Sequence, residues 1–217
     1  MDALIILIVL IGSIVVHEVA HAWQARREGD DTAEQLGRIT LNPIPHLDPL
    51  GSFIVPALLY LTGSGIFFGW AKPVPVNPHR YRNLVAGDVR VSLAGIVSNL
   101  ILAASATVLL AAVTKIDSLG ALPALFGDPL FLALEYGILI NLVLAFFNLI
   151  PIPPLDGSHV MAHVLPTGVA ARYREFGQYG ILALMAIIYF VPGAFRAVLV
   201  PVFILRGVAD WFIRLWI

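Results

Sequence analysis

Residues 3–23 have the sequence ALIILIVLIGSIVVHEVAHAW, an apolar run that ends in a histidine-containing motif. A helix of about 20 such residues crosses the hydrocarbon core of a bilayer. Because residues i and i+4 lie on one face of a helix, His17 and His21 can bind one tetrahedral Zn²⁺, with Glu18 beside the open position of the metal. Ionisable residues in such a helix are costly and usually mark function. The pattern is typical of zinc hydrolases, and the alternative is a helix end that meets lipid headgroups by chance.

The composition of the whole chain indicates a polytopic membrane protein. Hydrophobic residues make up 59% of it and charged residues 12%, and its mean hydropathy is +0.89. Its 217 residues suffice for five or six spans with short loops, but not for an added soluble domain. The net charge of -1 gives no indication of a nucleic-acid partner, and without cysteines a metal site must use His, Asp or Glu. The first apolar run lacks a basic region and a cleavage site, so we interpret it as a retained span rather than a signal peptide.

Further apolar runs predict the remaining spans within a single integral-membrane domain, residues 1–217. Core spans are predicted at about 3–23, 91–113 and 130–149, and weaker accessory spans at about 180–191 and 197–217. Leu36–Leu41 alternates apolar and polar side chains, which predicts a short strand at the surface. The expected fold is all-α, with about five transmembrane helices, this strand region and one further apolar segment at about 50–68.

A second motif, NLIPIPPLDG at residues 148–157, follows the third core span. Its prolines break the helix near membrane depth, which is tolerated only where the freed backbone is buried in protein or lines a wet cavity. Asp156 is the natural third metal ligand, leaving one open position for water, and Gly157 lets the backbone approach the metal closely. Alternatively, Asp156 is the N-cap of a helix over Ser158–Leu165, and both roles can coexist.

Topology predicts how the segment 50–68 meets the membrane. If this segment crossed fully, Asp156 would lie on the opposite side from His21, and the metal site would be impossible. The segment is also interrupted by Gly51, Pro56, Gly63 and Gly65, so we expect it to be re-entrant. Most basic residues then share the face of the metal site, which the positive-inside rule makes cytosolic. They are Arg26, Arg27, Arg38, Lys72, Arg80, Arg82, Arg90, Arg172 and Arg174, against mainly Lys115 and Arg196 on the other face.

Together, the two motifs resemble the site-2 protease family of intramembrane zinc metallopeptidases. The resemblance rests on HEVAH at 17–21 and NLIPIPPLDG at 148–157. LNPIPHLDP at 41–49, GWAKPVPVN at 69–77 and SLAGIVSN at 92–99 extend it to the compact members without PDZ or CBS domains. It therefore covers nearly the full length of the chain.

The resemblance implies a complete catalytic site with one Zn²⁺ per chain. The implied zinc ligands are His17, His21 and Asp156, and the implied general base is Glu18. Asn148 matches the family asparagine near the active site, where its amide can donate to the developing oxyanion, and Gly95 with Asn99 match a GxxxN element. The implied reaction is hydrolysis of a peptide bond within or near a transmembrane segment of a membrane-protein substrate, which must first be unwound locally. Leu36–Leu41 is a candidate edge strand for that segment, or a plain amphipathic connector.

Four further polar residues are candidate metal ligands, and two other functions compete with proteolysis. His159 and His163 can form an auxiliary metal set but are better explained as supporting or interfacial residues, and His46 with Asp48 fit turn and capping roles better than a ligand role. The competing functions are a membrane metal-binding or transport protein and an inactive scaffold. The first needs a polar path through the bilayer, and the intact HExxH argues against the second. We expect a multi-pass protein of the cell membrane, with the lipid bilayer and a transmembrane substrate as its partners.

Overall fold

The computed structural model describes residues 2–54, 58, 61, 71–120, 124–191 and 193–216. Over these residues the chain is helical, without a strand. The helices are α1 (Asp2–Glu28), α2 (Thr32–Gln35), α3 (Leu84–Ser118), α4 (Ala124–Asn148), α5 (Gly157–Val164), α6 (Thr167–Phe176), α7 (Gly180–Phe190) and α8 (Ala194–Arg214). Short 3₁₀ turns lie at Ile44–His46, Pro78–Arg80 and Gly177–Tyr179, and a π-helical stretch at Pro49–Ile54.

Three of these helices are long and apolar enough to cross a membrane: Asp2–Glu28, Leu84–Ser118 and Gly127–Asn148. They cover the predicted core spans up to residue 148, one residue short of the end predicted for the third span. They extend beyond the other five predicted ends, because polar residues continue the helices past the apolar runs. Helix α7 has 11 residues and α8 has 21, and α8 carries Arg196, Arg206, Asp210 and Arg214. The accessory spans over 180–191 and 197–217 therefore stay predictions.

Helix α8 packs against α3 and α4. Its residues Val202, Ala209 and Ile213 are buried in the same apolar cluster as small residues of α3, among them Ala103 and Ala106. Small side chains let helices approach closely, which is how helices associate in lipid. The charge of Arg206 is paired within this contact, since it donates to Asp210 Oδ1 at 2.9 Å and to the carbonyl of Glu135 at 3.1 Å.

The end of α1 meets the start of α3. The amide of Arg82 donates to the carbonyl of Glu28 at 2.8 Å, and the chain turns away from α1 at Gly29, which has φ +113°. A Cβ at Gly29 would also lie 3.0 Å from the carbonyl oxygen of Arg80. Helix α3 therefore starts where α1 ends, and α4 returns the chain to that end.

Two predictions concern the connection between α1 and α3. The prediction of a strand at Leu36–Leu41 is wrong, because the chain turns at Gly37 (φ +64°). The Arg38 side chain points inward and donates to the carbonyls of Lys72 and Pro73, at 2.9 and 3.3 Å. Its alternating pattern reflects this one buried arginine rather than a pleated strand. The re-entrant segment 50–68 lies outside the described residues except for 50–54, 58 and 61. The residues that flank this segment are in contact, since the amide of Lys72, after it, donates to the carbonyl of His46, before it, at 2.9 Å.

Candidate metal centre

The three predicted zinc ligands lie side by side where α1 meets the start of α5. His17 Nε2 lies 3.2 Å and His21 Nε2 lies 3.3 Å from Asp156 Oδ2, and the two Nε2 atoms are 3.0 Å apart. Within the described part of the chain, this is the group of three possible ligand side chains whose ligand atoms all lie within 4.8 Å of one another. The i, i+4 spacing on α1 thus places the two imidazoles side by side, and the proline-broken loop after α4 brings the carboxylate to them.

Hydrogen bonds to the other ring nitrogens set the tautomers of both histidines. His21 Nδ1 lies 2.7 Å from the carbonyl oxygen of Val91, which can only accept, so Nδ1 carries the proton. His17 Nδ1 lies 2.5 Å from Asn99 Oδ1 and donates to it in the same way. Each neutral ring then presents a lone pair at Nε2, as a metal ligand must.

This arrangement fits a bound cation. With both rings neutral, the two Nε2 atoms and Asp156 Oδ2 present lone pairs to one another, and Asp156 Oδ2 is buried with no hydrogen-bond partner among the described residues. A tetrahedral metal with ligand bonds of about 2.0–2.1 Å separates its ligand atoms by about 3.3 Å. The observed separations of 3.0 to 3.3 Å match that spacing. With nitrogen and carboxylate ligands, the set suits Zn²⁺.

Glycine allows the close packing at the site. A Cβ on Gly95 of α3 would lie 2.5 Å from His17 Cε1 and 2.5 Å from His21 Nε2, so no side chain fits there. A Cβ on Gly157 would overlap the carbonyl oxygen of Leu149, which keeps the loop before α5 tight. Asp156 occupies the N-cap position of α5, but its side chain makes no capping hydrogen bond. The carboxylate faces the histidines instead.

Glu18 is held by the backbone of the connection between α1 and α3. The amide of Val74 donates to Glu18 Oε2 at 2.7 Å. Val74 is itself fixed by its neighbours, because Arg38 binds the carbonyls of Lys72 and Pro73. The proposed base is thus oriented by a segment distant in sequence.

The remaining predicted residues lie outside the ligand group. Asn148 Nδ2 donates to the carbonyl of Leu144 in its own helix at 3.0 Å. His46 is buried, with Nε2 3.0 Å from the carbonyl oxygen of Thr40, and Asp48 accepts from the amide of Gly51 at 2.6 Å. These contacts match the turn and capping roles expected for His46 and Asp48.

His159 and His163 pair with an aspartate that sequence reasoning missed. His163 Nε2 lies 2.7 Å from Asp88 Oδ2, and His159 Nδ1 lies 3.4 Å from Asp88 Oδ1. The hydrogen bond to Asp88 raises the pKa of His159. Asp88 shares one face of α3 with Gly95 and Asn99, and this helical spacing was the available signal. The cluster ties α5, which follows Asp156, to α3.

A membrane-length helix with HExxH and a converging aspartate define the class of membrane metallopeptidases. Residues 126–191 match the family described as Peptidase family M50. The chain is 41% identical over 182 residues to "Putative zinc metalloprotease YwhC" of Bacillus subtilis (strain 168), covering 84% of the chain and 78% of that relative. The chain belongs to peptidase family M50, the site-2 protease family, as the sequence motifs predict, and it is a zinc metalloendopeptidase.

More distant relatives carry a similar name. Two are called "Putative zinc metalloprotease Rip2". The protein of Mycobacterium tuberculosis (strain ATCC 25618 / H37Rv) is 30% identical over 204 residues, covering 91% of the chain and 72% of that relative. The protein of Mycolicibacterium smegmatis (strain ATCC 700084 / mc(2)155) is 30% identical over 184 residues, covering 81% of the chain and 63% of that relative. No solved structure matches the chain at a significant level.

Proposed function

We propose that the protein hydrolyses a peptide bond within or near a transmembrane segment of a membrane-protein substrate, using one Zn²⁺ held by His17, His21 and Asp156. The observation that carries the proposal is the depth of the site. His17 lies six residues before Trp23, where the apolar run of α1 ends, which is about 9 Å along the helix axis. A substrate that reaches this depth is itself in the membrane.

The residues around the ligands supply the rest of the chemistry. His17, His21 and Asp156 would hold the Zn²⁺, which would lower the pKa of a water molecule to about 7 and polarise the carbonyl of the scissile bond. Glu18 takes the proton of the attacking water at Oε1, the oxygen opposite the one that Val74 holds, and passes it to the leaving amine. Asn148 has a second amide hydrogen beyond the one bonded to Leu144, and it donates that hydrogen to the developing oxyanion.

The same reasoning gives a topology. We expect the segment 50–68 to be re-entrant and α7 and α8 to lie in the membrane, with the site facing the cytosol of a cell-membrane protein. The contact between Lys72 and His46 and that between Arg82 and Glu28 support this, since both ends of the connection lie at one end of the bundle. The packing of α8 along α3 and α4 supports its place in the membrane.

A carrier for metal ions is the competing function, and the polar residues of the core do not favour it. Asn99, Asn141 and Ser13 are buried in the helix bundle, where an ion path would need polar groups exposed to water. They are instead bonded to one another and to His17. The polar groups of these three residues are therefore satisfied inside the bundle and do not form an ion path.

Glu18→Gln tests the proposal. The variant keeps the ligands but loses the base, so we expect it to retain zinc while its rate falls by a factor of about 10²–10⁴. The assay uses purified protein in detergent and a single-span fusion protein as substrate, with zinc content and the cleavage position measured by mass spectrometry. Glu34→Gln is the matched control, because Glu34 forms a half-exposed ion pair with Arg26 away from the site. Full activity of Glu18→Gln, or cleavage only far outside the spanning segment, would overturn the proposal.

A further inference from the structure

A chain of buried polar side chains leads from His17 into the apolar core of the helix bundle. Asn99 is 0%, Asn141 is 3% and Ser13 is 4% exposed. Asn99 Nδ2 lies 2.8 Å from Asn141 Oδ1, and Asn141 Nδ2 lies 2.9 Å from Ser13 Oγ and 2.8 Å from the carbonyl oxygen of Gly137. Polar groups are costly at this depth unless they are fully hydrogen-bonded. The presence of these hydrogen-bonded polar side chains in the apolar core therefore indicates a role beyond packing.

The carbonyl of Gly137, at the end of this hydrogen-bond network farthest from His17, determines the direction of the hydrogen bonds between Asn141, Asn99 and His17. The carbonyl of Gly137 can only accept, so the NH₂ group of Asn141 must face it, and Asn141 Oδ1 must face Asn99. That oxygen accepts from the NH₂ group of Asn99, which turns Asn99 Oδ1 toward His17. The ring of His17 must then carry its proton on Nδ1, and its Nε2 keeps a lone pair for the metal.

Without Asn141, the amide of Asn99 is free to flip. A flipped Asn99 presents N–H to His17 Nδ1, which becomes an acceptor, and the proton of the neutral ring moves to Nε2. A protonated Nε2 cannot bind a metal. With Asn141 in place, the flip would bring two oxygens together and leave a buried donor without a partner.

We infer that Asn141 is a positioning residue of the metal centre, which selects the metal-binding tautomer and ring orientation of His17 through Asn99. The inference rests on the proposed zinc site. It assigns Asn141, a residue of α4 that touches no ligand directly, a share in zinc affinity. Changes in residues that support metal ligands typically reduce affinity by about 10–100-fold.

Zinc affinity, measured by chelator competition on the full-length protein in detergent, tests the inference without a substrate. We expect Asn141→Leu to bind zinc about 10–100-fold more weakly than wild type and to change the absorption spectrum of the Co²⁺-substituted protein. Ser13→Ala should stay within about threefold, because the carbonyl of Gly137 still orients Asn141. Asn141→Ser, with a side chain too short to reach Asn99, replaces the leucine variant if that one does not fold.

A double-mutant cycle separates orientation from packing. In Asn99→Asp, the residue that contacts His17 has no N–H group. His17 Nδ1 must then donate to it, regardless of which residue occupies position 141. We therefore expect Asn141→Leu to cost almost no zinc affinity in the Asn99→Asp background. An equal loss in both backgrounds, or equal effects of Asn141→Leu and Ser13→Ala, would overturn the inference. Wild type that binds no zinc, or a His21→Ala variant that binds it as wild type does, would instead contradict the proposed function.

Discussion

Replacing Asp88 by asparagine should weaken zinc binding although Asp88 touches no ligand. Asp88 Oδ2 lies 2.7 Å from His163 Nε2, and the side chains are only 13% and 9% exposed. His163 lies in α5, directly after Asp156. The substitution keeps the size of the side chain but removes its charge, so α5 is held less firmly against α3.

The magnitude follows from the type of bond that is lost. A hydrogen bond to a charged group is worth about 1.5–3 kcal/mol and a neutral one about 0.5–1.5 kcal/mol, so Asp88→Asn costs about 1–2 kcal/mol. If all of it opposes the docking of Asp156, zinc affinity falls by about 5- to 30-fold. This is an upper bound, because α5 keeps its other contacts.

Chelator competition measures the affinity, and thermal unfolding measures the stability. Asp31→Asn is the matched control, since Asp31 pairs with Arg80 at the surface, where both side chains are about half exposed. Exposed ion pairs contribute about 0–1 kcal/mol, and this one is remote from the ligands. An Asp88→Asn variant that binds zinc as tightly as Asp31→Asn would refute the reasoning.

The pH dependence gives a second readout of Asp88→Asn, through the contact between Asp88 and His159. The hydrogen bond to Asp88 raises the pKa of His159 above its ordinary value of about 6.5. A raised pKa means that the contribution to stability is complete below about pH 6.5 and is lost as the pH rises through the folded-state pKa. Asp156 and His21, which also act on His159, are present in both proteins. The gap in unfolding temperature between wild type and Asp88→Asn should therefore be wider at low pH than at high pH.

Two further experiments test the packing of the site and the topology. Gly95→Ala should reduce zinc affinity by more than about 100-fold, because its Cβ would lie 2.5 Å from His21 Nε2, whereas Gly12→Ala on α1 meets nothing within 4 Å and should bind as wild type. Equal affinities would contradict this account of the site. Single cysteines at Lys72 and Arg27 should react from the same side of the membrane, and one at Lys115 from the other, on a chain without cysteines of its own. Labelling of Lys72 and Arg27 from opposite sides would exclude the re-entrant segment.

The sequence predicts the parts of this molecule that are local. The spacing of His17 and His21 on one helix is a property of four consecutive peptide units, and the apolar runs define α1, α3 and α4 by length alone. Asp156 is recognisable because prolines place an acid at membrane depth. The alternating pattern at Leu36–Leu41 fails as a local signal, since a distant pair of carbonyls draws Arg38 inward.

Other contacts depend on the register between helices, which a single sequence does not contain. Asp88 and Asn141 are polar residues in or beside apolar spans, and nothing near them says which helix they face. Their partners lie 75 residues away in the case of His163 and 42 residues away in the case of Asn99. Only the packed bundle shows that Asp88 contacts α5 beside Asp156 and that Asn141 reaches His17 through Asn99.

Helix α3 is the element that brings these separate parts together. Four of its residues, Asp88, Val91, Gly95 and Asn99, recur every three or four positions and so line one face. Asp88 tethers α5, and the carbonyl of Val91 accepts a hydrogen bond from His21. Gly95 leaves room for both imidazoles, and Asn99 accepts a hydrogen bond from His17. A rotation or shift of α3 would disturb all of these contacts at once. The geometry of the metal site is therefore set by a helix that contributes no ligand, and zinc affinity should respond to substitutions along this face more than to those on its lipid-facing side.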